Sequence, residues 1–332
     1  MKKIILFATG GTIASSDAGH GLQPTVNVDQ LLEYIPDIRE LCQLEGIALM
    51  QIDSTNMNPK RMGIIAKAIE GHYKDADGFV VAHGTDTMAY SAAALSIMLK
   101  NLGKPVVLTG SQLPIEAPGT DGKKNLSDAI RFACEGVPGV YLVFDGAVID
   151  GMHAIKMKTH SMDAFFSVNV SEVAHIAEGR IVYNTAWKDG ICGKNAVHMY
   201  ADTEMCQDVI VLKLFPGMSE KIFDFVRENY RGVIIESFGI GGVPGKQPDL
   251  VTKVQELAEA GLAVVITTQC LYEGVDLSVY EVGQKLQDRN VIMGGTMTTE
   301  ALTMKLMWAL AHFESMEELR GFMENKRENS KK

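Results

Sequence analysis

What most restricts the fold of this chain is a repeated alternation of short β-branched runs with longer helical patterns. Residues 3–7 read as a strand, and residues 28–34 open a helix with Asp29 near its start. Residues 78–82 form the continuously apolar run expected of a strand buried on both faces; residues 88–100 are an Ala-rich helix, and residues 105–108 the next strand. A helix over residues 124–135 follows, then a strand at 139–144 leading into a hairpin with 147–150. A second set has strands at 209–214, 232–236 and 262–267, helices at 219–230 and 249–260, and helical segments at 299–313 and 317–326. This pattern predicts an α/β fold of two doubly wound domains with mainly parallel sheets, the N-terminal one larger. Periodicity fades between Trp187 and Asp208, so the expected division is a domain at 1–188, a linker at 189–208 and a domain at 209–332.

With 332 residues, the chain exceeds what one core usually organises, in keeping with two domains. Its 46% hydrophobic and 22% charged residues exclude the disordered and fibrous classes. The formal net charge of −10, without a dense Lys/Arg block, argues against nucleic acid as a partner, and the basic end at 326–332 reads as a solvated terminus. The apolar run after Met1-Lys2-Lys3 stops at Gly10-Gly11, too early for a secretory leader, and no later run is long enough to cross a bilayer. Cys42, Cys134, Cys192, Cys206 and Cys270 are odd in number and widely spaced, so they read as small buried hydrophobes in a reducing compartment. The expectation is a soluble cytoplasmic protein.

Three consecutive strand ends carry hydroxyls beside glycines: Thr9-Gly10-Gly11-Thr12, His83-Gly84-Thr85-Asp86-Thr87 and Thr109-Gly110-Ser111-Gln112. In doubly wound sheets ligands collect beyond the carboxyl ends of the strands, where helix N-termini aim N–H groups inward. A hydroxyl there can attack a carbonyl while neighbouring N–H groups hold the developing oxyanion, provided a base takes the proton. Thr12 and Thr85 both qualify, and Asp86 adds a carboxylate able to orient a base or hold an ammonium group. Taken singly, each motif reads as turn glycines with a capping Thr or Asp. Two of them at the ends of strands in one sheet favour a site.

The pairing of Thr9-Gly10-Gly11-Thr12-Ile13-Ala14 with His83-Gly84-Thr85-Asp86-Thr87, about seventy residues on, resembles the paired signature of bacterial-type L-asparaginases. The similarity extends over nearly the whole chain, through Asp53-Ser54-Thr55-Asn56-Met57, Leu108-Thr109-Gly110-Ser111-Gln112, Lys158-Thr159-His160 and Thr268-Gln269-Cys270, and is closest to the cytoplasmic type I branch. The resemblance implies hydrolysis of L-asparagine to L-aspartate and ammonia through an acyl-enzyme on Thr12, with Thr85, Asp86 and Lys158 supporting proton transfer and no metal or organic cofactor. A lysine in apolar or cationic surroundings loses its proton near neutral pH, which suits such a role. Lys156, two residues away, competes for the role, but the Thr159-His160 that follows aligns Lys158 with the family pattern, and Lys156 reads as a solvated loop charge. The resemblance further implies that Gly11, Ser54, Thr55, Gly84, Thr85 and Asp86 bind substrate, Asp86 through the α-ammonium group, with N–H groups of Thr12 and Thr85 as oxyanion donors. It also implies a homodimer or homotetramer whose sites are completed by a neighbouring subunit, with Tyr280, Glu281 and Glu300 as candidate contributors.

The loop at 15–25 lacks the tyrosine that family members of strong dual specificity place there; Leu22, Gln23 and Thr25 stand in that region, and Thr25 is a weak substitute. Phe238-Gly239-Ile240-Gly241-Gly242-Val243-Pro244-Gly245 has the look of a dinucleotide loop, but Pro244 holds the place of its last glycine. His83 and His160 read as hydrogen-bonding scaffold. Two other functions compete. One is the amidase subunit of a tRNA-dependent amidotransferase, disfavoured because that subunit carries an N-terminal extension and this sequence starts at its first strand. The other is a non-catalytic nucleotide-binding module, disfavoured because no Walker lysine follows Gly10-Gly11-Thr12.

Overall fold

A computed structural model of the chain describes residues 1–17, 22–24, 28–188, 198–279, 283–284 and 291–324. The chain divides into two compact units, Met1–Thr203 and Glu204–Lys332. In the first, described strands form a sheet in the order Arg180–Tyr183, Ala174–Ala177, Ala147–Asp150, Gly139–Phe144, Pro105–Thr109, Gly78–Ala82, Lys3–Gly10 and Gln43–Ile52. The last five of these run parallel, and the first three are antiparallel additions beginning with the expected hairpin.

Alternation along the parallel strands sends side chains to opposite faces, and both faces are covered. On one, Ile4, Leu6, Val80, Val107 and Val143 pack with Leu126, Ala129, Ile130 and Ala133 from the helix Gly122–Ala133. On the other, Phe7 stacks on Phe79 and meets His72, just past the helix Pro59–Gly71, edge-on. That helix packs beside the Ala-rich helix Met88–Met98. The strand Gln43–Ile52 and the helix Pro59–Gly71 escape sequence reading. Among the described strands, Gln43–Ile52 pairs with Lys3–Gly10 alone, at a sheet edge, and exposed and half-buried residues mix along it, so its apolar stretch at 47–50 does not stand out as a buried run.

The second unit has four described strands, Val209–Lys213, Gly232–Ser237, Ala263–Thr268 and Ile292–Met293, in sequential order and all parallel. The helices Lys221–Asn229 and Leu250–Glu259 belong to a core on one face; Leu302, Leu306, Ala309 and Leu310 of Thr299–His312 cover the other.

Residues 189–197 of the expected linker lie outside the described residues. The rest of the expected linker carries packed residues: Tyr200–Ala201 pairs with Leu99–Lys100 in the first unit, and Cys206 N donates to Met307 O in the second. The cysteines divide differently from expectation. Cys42 is buried and Cys134 and Cys206 are half-buried, but Cys270 is exposed because it stands two residues beyond the strand Ala263–Thr268, where the chain emerges; Cys192 lies outside the described residues. Among the described residues, no helix is long and apolar enough to cross a membrane.

Buried Asn125 fastens Gly122–Ala133 to two strand ends, its Nδ2 donating to Gly110 O (3.0 Å) and Asp121 Oδ2 (3.1 Å) and its Oδ1 accepting from Asp145 N (2.9 Å). Asn125→Ala takes the partner from Gly110 O and Asp145 N, while Asp121 Oδ2 keeps Gln112 N, and is expected to lower the unfolding free energy by about 2–3 kcal/mol in urea titrations.

Candidate functional site

The parallel strands of the first unit fix where a site can form. Counted along the chain they lie in the order second, first, third, fourth, fifth, so the connections run outward in opposite directions from the pair Lys3–Gly10 and Gly78–Ala82. A crevice opens beyond the carboxyl ends of such a pair. The loops emerging there are Gly11–Ala14 and His83–Thr87, the two motifs singled out in the sequence.

They meet backbone to backbone. Gly11 adopts a φ of 79°, which favours glycine, and a Cβ on it would overlap both Cα and N of Gly84. A Cβ on Gly84 would in turn stand 2.6 Å from Cβ and Oγ of Ser54. Three loops are therefore stacked with no room for a side chain at either glycine. Hydrogen bonds hold the stack: Gly11 N donates to Ile52 O (3.0 Å), Thr9 Oγ1 to Ala82 O (3.0 Å), Ser15 Oγ to Gly11 O (2.8 Å) and Thr87 Oγ1 to Ser54 O (2.8 Å). Ser54 is buried and Thr55 exposed, the Thr55 N–H and hydroxyl both donating to Asp53 Oδ1 at 2.8 and 2.9 Å. Thr12 begins a short 3-10 turn and is half-buried.

The lysine at this site is Lys156, not Lys158. Lys156 Nζ donates to Thr85 Oγ1 at 2.8 Å and to Asp86 Oδ1 at 2.6 Å, with its side chain only 18% exposed. Thr85 is 6% exposed, and the Asp86 side chain 56%. The expected partner, Lys158, instead pairs with Asp163 and stands 5.3 Å from the Phe166 ring. The cause is local. Lys156 is the last residue of the strand Ala154–Lys156, held opposite Phe165 in an antiparallel ladder, whereas Lys158 lies past its end. There the chain turns through Thr159-His160-Ser161-Met162-Asp163, and Lys158 closes on its own turn. Lys156 adjoins the apolar pair Ala154-Ile155 and Lys158 opens a polar stretch, but a three-residue strand is too short for periodicity to separate the two lysines.

His83, at the root of the second motif, is fully buried. Burial draws its imidazole down to about 4 from the usual 6.5. His160 is exposed on the turn after Lys158. Glu300 lies in the second unit, in the first turn of Thr299–His312, where burial and the charge of Glu236 push its carboxyl up. Thr25, Tyr280 and Glu281 fall outside the described residues. The Gly-rich segment at 238–245 closes on itself, with Phe238 and Gly242 exchanging both backbone hydrogen bonds.

The family model "Asparaginase, N-terminal" matches residues 3–188, and "Glutaminase/Asparaginase C-terminal domain" matches residues 208–323. The chain is 36% identical over 323 residues to an L-asparaginase of Thermococcus kodakarensis, covering 97% of each. It is also 36% identical over 332 residues to a glutamyl-tRNA(Gln) amidotransferase component of Pyrococcus horikoshii, covering 96% of this chain and 74% of that protein. Among solved structures, the thermostable L-asparaginase of T. kodakarensis superposes with a TM-score of 0.92 at 36% identity, over 98% of this chain and 97% of that one. L-asparaginase I of Vibrio cholerae gives a TM-score of 0.86 at 31% identity, with the same shares covered.

Gly11→Ala forces a Cβ into the Gly84 backbone, and we expect a loss of at least about 2 kcal/mol of stability by urea unfolding. Neutral His83 in the fold binds protons more weakly than in the unfolded chain. Its contribution to stability is therefore complete above the unfolded value and is lost as pH falls from about 6.5 to about 4, by up to about 3 kcal/mol. Unfolding free energies across this interval should fall more steeply for the wild type than for His83→Asn.

Proposed function

The chain belongs to the asparaginase family of amidohydrolases, and from that premise we propose that it hydrolyses L-asparagine to L-aspartate and ammonia. The observation that carries this reading is the Lys156 ammonium bonded to both Thr85 Oγ1 and Asp86 Oδ1, in the loop whose backbone touches the Thr12 loop. Thr12 Oγ attacks the side-chain amide carbon. The tetrahedral intermediate then collapses, the amide nitrogen leaving as ammonia with the proton given up by the Thr12 hydroxyl and the aspartyl group remaining as an ester on Thr12. Water attacks that ester, releasing aspartate and restoring the Thr12 hydroxyl.

In this scheme Lys156 takes the part that resemblance had given to Lys158, passing protons through Thr85 to the leaving nitrogen and from the incoming water. The N–H groups of Thr12 and Thr85 carry the oxyanion. Gly11 and Gly84 let the backbone approach the substrate, and Ser54 and Thr55 grip its α-substituents. Asp86 pairs with the α-ammonium through the oxygen that Lys156 leaves free. The same proposal places the protein in the cytoplasm as a homodimer or homotetramer, with no role for nucleic acid or membrane.

A second reading, the amidase subunit of an amidotransferase, rests on the equal identity to the archaeal amidotransferase component. The two readings separate on free substrate: an asparaginase releases ammonia from asparagine alone, whereas the amidotransferase reading predicts release that depends on a partner protein and tRNA. We expect the purified chain to release ammonia from asparagine, Lys156→Met to lower kcat at least about 100-fold, and Lys158→Met to stay within about threefold of wild type. Equal losses in both variants contradict the assignment of Lys156.

A further inference from the structure

We infer that His83 is a positioning residue that aims the Thr85 N–H at the oxyanion, by holding the carbonyl of the same peptide unit from behind. The inference rests on the proposed hydrolysis and adds to it a residue outside the reacting set.

His83 Nδ1 lies 2.7 Å from Gly84 O, and its Nε2 lies 2.9 Å from Ser91 Oγ. A carbonyl only accepts, so Nδ1 carries the proton and donates, which leaves Nε2 to accept from the Ser91 hydroxyl. Both side chains are fully buried, so no water competes for these bonds. Gly84 O thereby selects the tautomer, and the Ser91 hydroxyl adapts to it by donating; the alternative would set two lone pairs against each other at Gly84 O.

Gly84 O and Thr85 N belong to one planar trans peptide. Fixing the carbonyl toward the imidazole points the Thr85 N–H the opposite way, away from the buried ring. No carbonyl or side chain among the described residues takes up that N–H. The anchor is needed because of the crowding around Gly84. Ser54 and Gly11 leave no room for a side chain there, and glycine lowers the resistance of the peptide to flipping. The His83 bond restores the lost rigidity and polarises the N–H through the same amide. Its own backbone is tied as well, with N donating to Thr109 O at 2.8 Å.

An oxyanion donor acts on the transition state, so the effect belongs in kcat. The test compares ammonia release from asparagine by wild type, His83→Leu, His83→Asn and His83→Gln. Asparagine's amide nitrogen stands near the Nδ1 position, and glutamine's near Nε2. His83→Leu should lower kcat about 10- to 100-fold with KM within about threefold, and His83→Asn should recover to within about threefold of wild type, while His83→Gln stays slow. If the leucine variant does not fold, the Asn and Gln pair decides. In wild type, 15N NMR of the imidazole should show a protonated Nδ1 and an unprotonated Nε2.

An Nε2-protonated ring, a kcat unchanged in His83→Leu, a loss confined to KM, or equal rates for Asn and Gln would each overturn the positioning role. A wild type that releases no ammonia overturns the asparaginase reading instead, so the two failures are distinguishable.

Discussion

The contact on which the rest of the site depends is that of Gly11 on Gly84. It is a packing constraint before it is anything chemical: a Cβ on Gly11 would overlap the Gly84 backbone, and one on Gly84 would overlap Ser54 of a third loop. The strand order creates the opportunity, since Lys3–Gly10 and Gly78–Ala82 are neighbours whose connections leave in opposite directions. Glycine then converts a crevice between loops into a direct apposition. Thr12 follows one glycine and Thr85 the other, so main chain alone brings the two motifs together. Hydrogen bonds from Thr9, Ser15 and Thr87 to neighbouring carbonyls keep the apposition from depending on side-chain packing alone.

That arrangement explains why so much polar chemistry sits at the end of an apolar sheet. The central parallel strands are buried on both faces; Lys156 comes from outside them, at the end of a short ladder with Phe165–Ser167. Its two partners, Thr85 and Asp86, differ sharply in exposure, so the ammonium bridges a buried hydroxyl and a carboxylate open to solvent. Behind them, Ser91, His83 and Gly84 form a buried line of neutral hydrogen bonds. The site thus has a charged front and a neutral back.

Much of this was legible in the sequence because it is written in local pattern. The strand at 78–82 is continuously apolar, and the Gly-Gly-Thr and Gly-Thr-Asp motifs follow strands. The edge strand Gln43–Ile52 was not legible, having one paired side and mixed burial. Nor was the choice between Lys156 and Lys158, which turns on where a three-residue strand stops. Two residues of offset decide whether an ammonium meets Thr85 or its own turn, and periodicity does not resolve so short an element. His83 was legible as scaffold, but the carbonyl it holds depends on backbone direction.

The claim that the Gly11–Gly84 contact builds one reaction centre around Thr12 is tested most directly by trapping the acyl group. Wild-type protein mixed with asparagine, quenched in acid within one turnover and mapped by peptide mass spectrometry should carry an aspartyl increment on Thr12. An increment on Thr85, or a burst of ammonia with no acylated peptide, would contradict it.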